Sequence, residues 1–265
     1  EVKGEPERLE FFRTMFRLHR WLMDDRPEYN NAIFWGKMIV GVSTLMFIFI
    51  VISGIFIWIP KSIKALKNRT QIALRKGWHR FFYDLHVAGG IYATLLLLAM
   101  ALTGLTWSFE WYRNDFYRLF GVEVEAKGNA PQKGEKEGRR AREDNAYISW
   151  ERAYRNALDI VGSAEKMTIA KGSVSVPCEG WGNQRAADKY SFDEASGEVI
   201  AKELYADSER LRKVRGCICS VHVGNWGGML TRILWFLAAM LGATLPLTGH
   251  YLWINRKLTR KRARL

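Results

Sequence analysis

The sequence is poor in the residues that would make it an ordinary secreted or soluble protein. It has 3 cysteines and 6 prolines in 265 residues, too few thiols for a disulfide framework. Those thiols, Cys178, Cys217 and Cys219, with His222 nearby, lack the spacing of a zinc ribbon. No G-x-G-x-x-G follows a strand pattern, so nothing points to NAD or FAD. Acid is missing where base is dense. Residues 60–82 carry seven cations and 255–265 carry six, with no carboxylate in either stretch, and together they equal the net charge of +13. A nucleic-acid-binding protein spreads its cations over a folded face and interleaves them with aromatics; here each basic block directly follows a long apolar run. That pattern excludes a nucleic-acid partner and a soluble globular enzyme.

What is present is apolar length. Met38–Ile59, Val87–Phe109 and Ile233–Ile254 hold no charged residue, and His250 is the only titratable imidazole within them. Each exceeds the roughly 20 residues that cross about 30 Å of hydrocarbon. Three transmembrane helices in a lipid bilayer are expected, at 36–59, 84–109 and 222–254. The basic loop 60–83 and the basic tail 255–265 fall on the cytoplasmic side by the positive-inside rule. Residues 1–35 and 110–221 then lie outside, in the periplasm of a bacterial inner membrane. An outside N-terminus without a signal peptide leads us to expect a fragment, or one subunit of a complex, that lacks an earlier helix.

Between the second and third spans, 110–146 reads as a charged linker, its part from 121 rich in Gly and charge. From Tyr147 an amphipathic helix is expected, with Ile148, Trp150, Ala153, Ala157, Leu158 and Val161 at helical spacing and Gly162 at its end. Short alternating runs follow at Met167–Val176, Lys189–Phe192 and Glu198–Leu204, with a turn at Asp193–Gly197. Residues 147–221 therefore form a small α+β module. In an oxidising compartment Cys178 could bridge to Cys217 or Cys219, and the odd count leaves at least one thiol free.

Four of the five histidines stand at the edges of spans. His86 and His250 share the cytoplasmic leaflet. His222 precedes the third span, and His19, on the amphipathic segment Leu9–Leu22, approaches the first from the same outer side. An ionisable group at bilayer depth is costly and is a functional candidate by default. A neutral imidazole can supply an axial nitrogen to haem iron, and facing helices can bring two such nitrogens to one macrocycle. Gly89 and Gly90 after His86, and Gly227 and Gly228 after His222, would let a flat ring lie close. A weak internal repeat supports an outer pair: Leu18-His19 leads to Ser53-Gly54 and Trp58, as Val221-His222 leads to Thr248-Gly249 and Trp253.

Several segments resemble the PepSY-associated transmembrane family, which includes inner-membrane ferrisiderophore reductases. They are LHRWL at 18–22, GKMIVGVSTLMFIFIVISGIFIWIPK at 36–61, YDLHVAGGIYATLLLLAMALTGLTWSF at 83–109 and VHVGNWGGMLTRILWFLAAMLGATLPLTGHYLW at 221–253; FDEASGEVI at 192–200 resembles the PepSY module itself. The resemblance implies a mainly α fold, a bundle of four membrane helices (three of them here) with a periplasmic PepSY module. It also implies one or two b-type haems held by histidine. Carried over by motif, His19 and His222 would ligate an outer haem, and His86 would pair with a histidine on the absent helix. Depth in the bilayer pairs His86 with His250 instead, and both alternatives stand at this point. The function implied is outward electron transfer that reduces ferric iron or a ferrisiderophore, with quinol or a redox partner as donor. The alternatives are a non-enzymatic PepSY protein that binds a partner or regulates a protease, and a structural subunit of an envelope complex.

Overall fold

The computed structural model describes residues 9–24, 33–73, 75–123, 143–164, 166–178 and 182–262. In chain order these form α1 (Glu10–Trp21), α2 (Trp35–Trp58), α3 (Ile63–Arg69), α4 (Trp78–Asp84), a π turn (Leu85–Gly89), α5 (Gly90–Ser108), α6 (Glu110–Arg118) and α7 (Glu143–Val161). Then come β1 (Thr168–Ala170), β2 (Ser173–Pro177), β3 (Ala187–Phe192), β4 (Val199–Glu203), α8 (Arg210–Val223) and α9 (Gly228–Arg262). The chain divides into two units, one of residues 16–113 and 221–265, the other of 1–15 and 114–220.

The first unit contains three helical stretches long and apolar enough to cross a membrane: Trp35–Trp58, Trp78–Ser108 and Gly228–Thr259. The second and third start earlier than their apolar runs. Hydrogen bonding and caps, not hydropathy, set helix ends. Gly77 (φ +82°) precedes α4 and Gly228 (φ +74°) opens α9, both in the left-handed region that favours glycine. Ile48 of α2 packs with Ala101 and Leu105 of α5, while Ala93 and Leu97 of α5 pack with Ala238 of α9. Small residues let these backbones approach: Gly41 faces Ser108 and Phe109, and Gly242 faces Leu97. Large apolar side chains such as Phe49, Ile50, Phe56, Ile57, Leu95 and Phe236 point outward. In water that surface would cost about 25 cal/mol per Å². In hydrocarbon it costs nothing, and this is a membrane protein.

The second unit contains the small module. Its antiparallel sheet runs in the order β1-β2-β3-β4. Val174, Val176, Tyr190 and Phe192 bury one face against Ala153 and Ala157 of α7. The single run expected at Met167–Val176 is two strands, because Gly172 adopts φ +69° and turns the chain between Ala170 and Ser173. The Asp193–Gly197 turn forms as expected. The Asp193 carboxylate accepts from the Ala195 N–H (3.3 Å) and from the Ser196 N–H and hydroxyl, bonds that hold its pKa below the usual range.

Two expectations for 110–146 change. Residues 110–118 are helical, α6, and α7 begins at Glu143, ahead of Tyr147, because its first turn carries no apolar periodicity to reveal it. Residues 124–142 of the expected linker lie outside the described residues. The three cysteines are free thiols. Cys178 donates to an Asp188 oxygen at 3.5 Å, and burial together with that carboxylate pushes its thiol pKa up. Burial does the same to Cys217. Raised thiols stay protonated and are poor nucleophiles.

Candidate functional site

The first unit holds two histidine seats built to the same plan. At the first, His222 ends α8 and turns its Nδ1 toward α5, 3.1 Å from Thr103 Oγ1 and 3.0 Å from the Met100 carbonyl. The Thr103 hydroxyl has one hydrogen, which it gives to carbonyls of its own helix, Ala99 (2.6 Å) and Met100 (3.1 Å). Threonine in a helix commonly bonds back in this way. The hydroxyl can then only accept from the imidazole, and so can the Met100 carbonyl. The network therefore assigns the hydrogen to Nδ1 and leaves the lone pair on Nε2. Gly104 makes room for the ring: a Cβ there would stand 3.1 Å from His222 Cε1. Trp107 closes one side, its ring centre 5.0 Å from that of His222.

At the second seat the same parts recur. His86 Nδ1 lies 2.9 Å from Thr248 Oγ1, whose hydrogen goes to the Thr244 and Leu245 carbonyls of α9. With that hydrogen given to the helix, the hydroxyl accepts from Nδ1 and Nε2 is left bare. Gly249 makes the space, with a Cβ there 3.3 Å from His86 Cε1. The π turn Leu85–Gly89 carries His86, and turns of this kind gather at functional positions. Asp84, 2% exposed, anchors the start of that turn by accepting from Arg80 Nε at 2.9 Å and the Ala73 N–H at 3.0 Å.

The two seats differ in what faces them. The His19 ring stands 6.2 Å from that of His222, centre to centre, at 36° between planes. The expected outer pair is thus brought together. His86 and His250 are not: His250 is exposed and bonds through Nδ1 to the Pro246 carbonyl of its own helix at 3.0 Å. His79 lies beside Tyr251, ring centres 6.1 Å apart.

The glycines expected to flank a flat ring do other things. Gly89 and Gly90 face Leu241 and Leu245 and serve the packing of α5 on α9. The Gly227 N–H is capped by Thr231 Oγ1 at 3.0 Å, and Gly228 is needed for its positive φ. The glycines against the imidazoles are Gly104 and Gly249. Sequence reading missed Thr103 and Gly104 as site residues, and took Thr248-Gly249 only as a mark of the repeat. The available signal was the triplet Leu-Thr-Gly, at 102–104 and again at 247–249.

Each seat offers one ring nitrogen, Nε2, whose direction is fixed by a hydrogen bond from the other ring nitrogen, as metal-binding histidines commonly are. Among the described residues no group of three or more His, Cys, Asp or Glu side chains could hold a metal ion. A metal held by side chains alone has no donor set there. A macrocycle that brings four nitrogens of its own needs only two. No curated protein matches the chain in sequence. The PepSY-associated TM region family matches it over residues 1–256, and the chain belongs to that family.

Proposed function

We propose that the membrane unit is a b-type haem electron carrier in which His19 and His222 are the two axial ligands of one haem. The observation that carries this reading is the separation of the two rings. Iron bound from opposite sides by two imidazoles, with metal–nitrogen bonds of about 2.0 Å and ring centres about 1.15 Å beyond the nitrogens, puts those centres roughly 6.3 Å apart. The distance between His19 and His222 is 6.2 Å. The bare Nε2 of His222 is the donor that such a role requires, and Met100 and Thr103 fix its direction. Trp107 packs against the His222 ring, centres 5.0 Å apart, and limits how far that ring can turn.

Bound haem would supply one-electron chemistry, its potential tuned by the axial pair and the low dielectric. The protein's own contribution is to hold His222 as the neutral Nδ1–H tautomer and to offer His19 opposite it. His86 presents its Nε2 in the same manner and is the candidate ligand of a second haem, whose other ligand would be His250 or a histidine outside the described residues. With the basic loop and tail in the cytoplasm of a bacterial inner membrane, the His19–His222 pair lies on the periplasmic side. Electrons would then move outward, to a ferric iron complex as the family resemblance implies, from quinol or a redox partner.

The test is a dithionite-reduced minus oxidised spectrum of the purified chain. A split low-spin haem band is expected in the wild type, lost in both His19→Ala and His222→Ala and kept in His86→Ala. A chain without any Soret band overturns the reading and leaves a membrane-anchored PepSY protein that binds a partner.

A further inference from the structure

The turn that joins α8 to α9 begins two residues after His222 and contains Gly224-Asn225-Trp226-Gly227. Its backbone is well served. Gly224 (φ +72°) packs so closely on Trp235 of α9 that a Cβ there would overlap the indole, and the Gly227 N–H is bound by Thr231. Its side chains are not served. Trp226 Nε1, Trp235 Nε1 and Asn225 Oδ1 are all shielded from solvent and have no hydrogen-bond partner among the described residues. Trp235 as a whole is 7% exposed. The two indoles touch edge to face, ring centres 5.9 Å apart.

An indole N–H can only donate, and a carboxamide can turn its NH₂ where its oxygen is drawn. The turn and the start of α9 therefore carry three potential donors with no protein acceptor among the described residues, two of them on indoles in contact with one another. A buried polar group left unpaired asks for an explanation, a bound ion or water among them. The missing partner must be acceptor-rich, and at the edge of a bilayer an anionic oxygen fits best. Arg232, one turn before Trp235 on α9, is exposed and adds a positive charge to this end of the helix.

We infer that Trp226, Trp235 and Asn225 form a seat for the carboxylate side arms of the macrocycle held at His222. The inference rests on the haem reading above. The carboxylates leave the edge of the ring while the iron sits at its centre, so a ligand gripped at His222 carries its anionic oxygens to side chains a few residues along the chain. In this arrangement His222 fixes the iron and the following turn fixes the rotation of the ring about the iron–nitrogen axis.

The test uses the full chain loaded either with haem or with haem dimethyl ester, whose arms are neutral. With haem, Trp226→Phe and Trp235→Phe are expected to speed haem loss to apomyoglobin roughly tenfold each, the range of one hydrogen bond to a charged group. They also lower the midpoint potential, because a carboxylate less well neutralised favours ferric iron. Wild-type protein carrying the dimethyl ester should lose the group at the faster rate without any mutation, while its potential rises because the arms carry no charge, and the Trp variants should then add nothing to either. Equal loss rates and potentials across all four combinations overturn the inference while a normal Soret band keeps the haem reading intact. Indole N–H signals of haem-free protein that shift on adding anionic lipid vesicles overturn it in favour of a headgroup phosphate. A wild type that takes up no haem at all overturns the reading on which this one depends.

Discussion

The seats of His222 and His86 are the same device used at opposite ends of two antiparallel helices. Thr103 and Gly104 near the end of α5 receive the histidine that precedes α9, and Thr248 and Gly249 late in α9 receive the histidine that precedes α5. In each, a threonine whose own hydrogen is committed to its helix becomes an obligatory acceptor and sets the tautomer. The difference lies across the ring, where His222 faces His19 and His86 faces no other imidazole among the described residues. One device has thus been placed twice, but only the first placement is complete within the described residues. A centre at His19–His222 should therefore answer to changes in its own seat and ignore the same changes in the other.

The sharpest way to break that comparison is to remove the acceptor. Thr103→Val keeps the shape of the side chain and deletes the hydroxyl that accepts from His222. Loss of an outer-shell partner typically lowers metal affinity by about 10-fold to 100-fold; the lower figure is expected here, because the Met100 carbonyl still accepts at 3.0 Å. Haem titration of the low-spin band measures it. Thr248→Val should leave that band unchanged, and equal weakening by both variants would mean that the two seats are not independent.

How far these seats could be read in advance depends on the kind of signal each residue carries. The three spans, the basic blocks beside them and the nearness of His19 to His222 were legible, because apolar length, charge asymmetry and a repeated Leu-His or Val-His pattern survive without coordinates. The α+β module was legible from its periodicity, except where Gly172 folds one run into two strands. The π turn at His86 was not, since a one-residue widening of a helix leaves no period to find. Nor were Thr103 and Gly104, which look like any small residues in a membrane helix. The triplet is not sufficient even where it is seen. Ser53-Gly54 of α2 follows the same pattern, yet the Ser53 hydroxyl only bonds back to Ile50 and a Cβ on Gly54 would meet nothing. A seat is defined by the ring that fills it, and that ring comes from a distant part of the chain.

A smaller effect separates the glycines. Adding a methyl at Gly104 sets a carbon 3.1 Å from His222 Cε1, while at Gly249 the distance to His86 is 3.3 Å. Contacts near 3.1 Å are repulsive for carbon, so the His222 ring must turn or slide by a few tenths of an ångström. Gly104→Ala should cost no more than a few-fold in haem affinity, but it should move the low-field electron paramagnetic resonance feature of the ferric centre, which responds to the angle between axial imidazole planes. Gly249→Ala should leave that feature in place. An unchanged spectrum in Gly104→Ala would show that the ring has slack and that the glycine serves helix packing only.

The smallest effect is expected from His250, and it tests the incomplete side of the comparison. Depth alone pairs it with His86, but its ring is exposed and its Nδ1 is held by the Pro246 carbonyl one turn back. To serve His86 it would have to leave that bond and cross toward the face of α9 where Thr248 is buried. His250→Ala should therefore leave every haem band, and the potential of each, as in the wild type. Loss of a second haem in this variant, with the His19–His222 centre untouched, would instead show that the ring swings inward on ligation and that bilayer depth was the better guide than the orientation of the side chain.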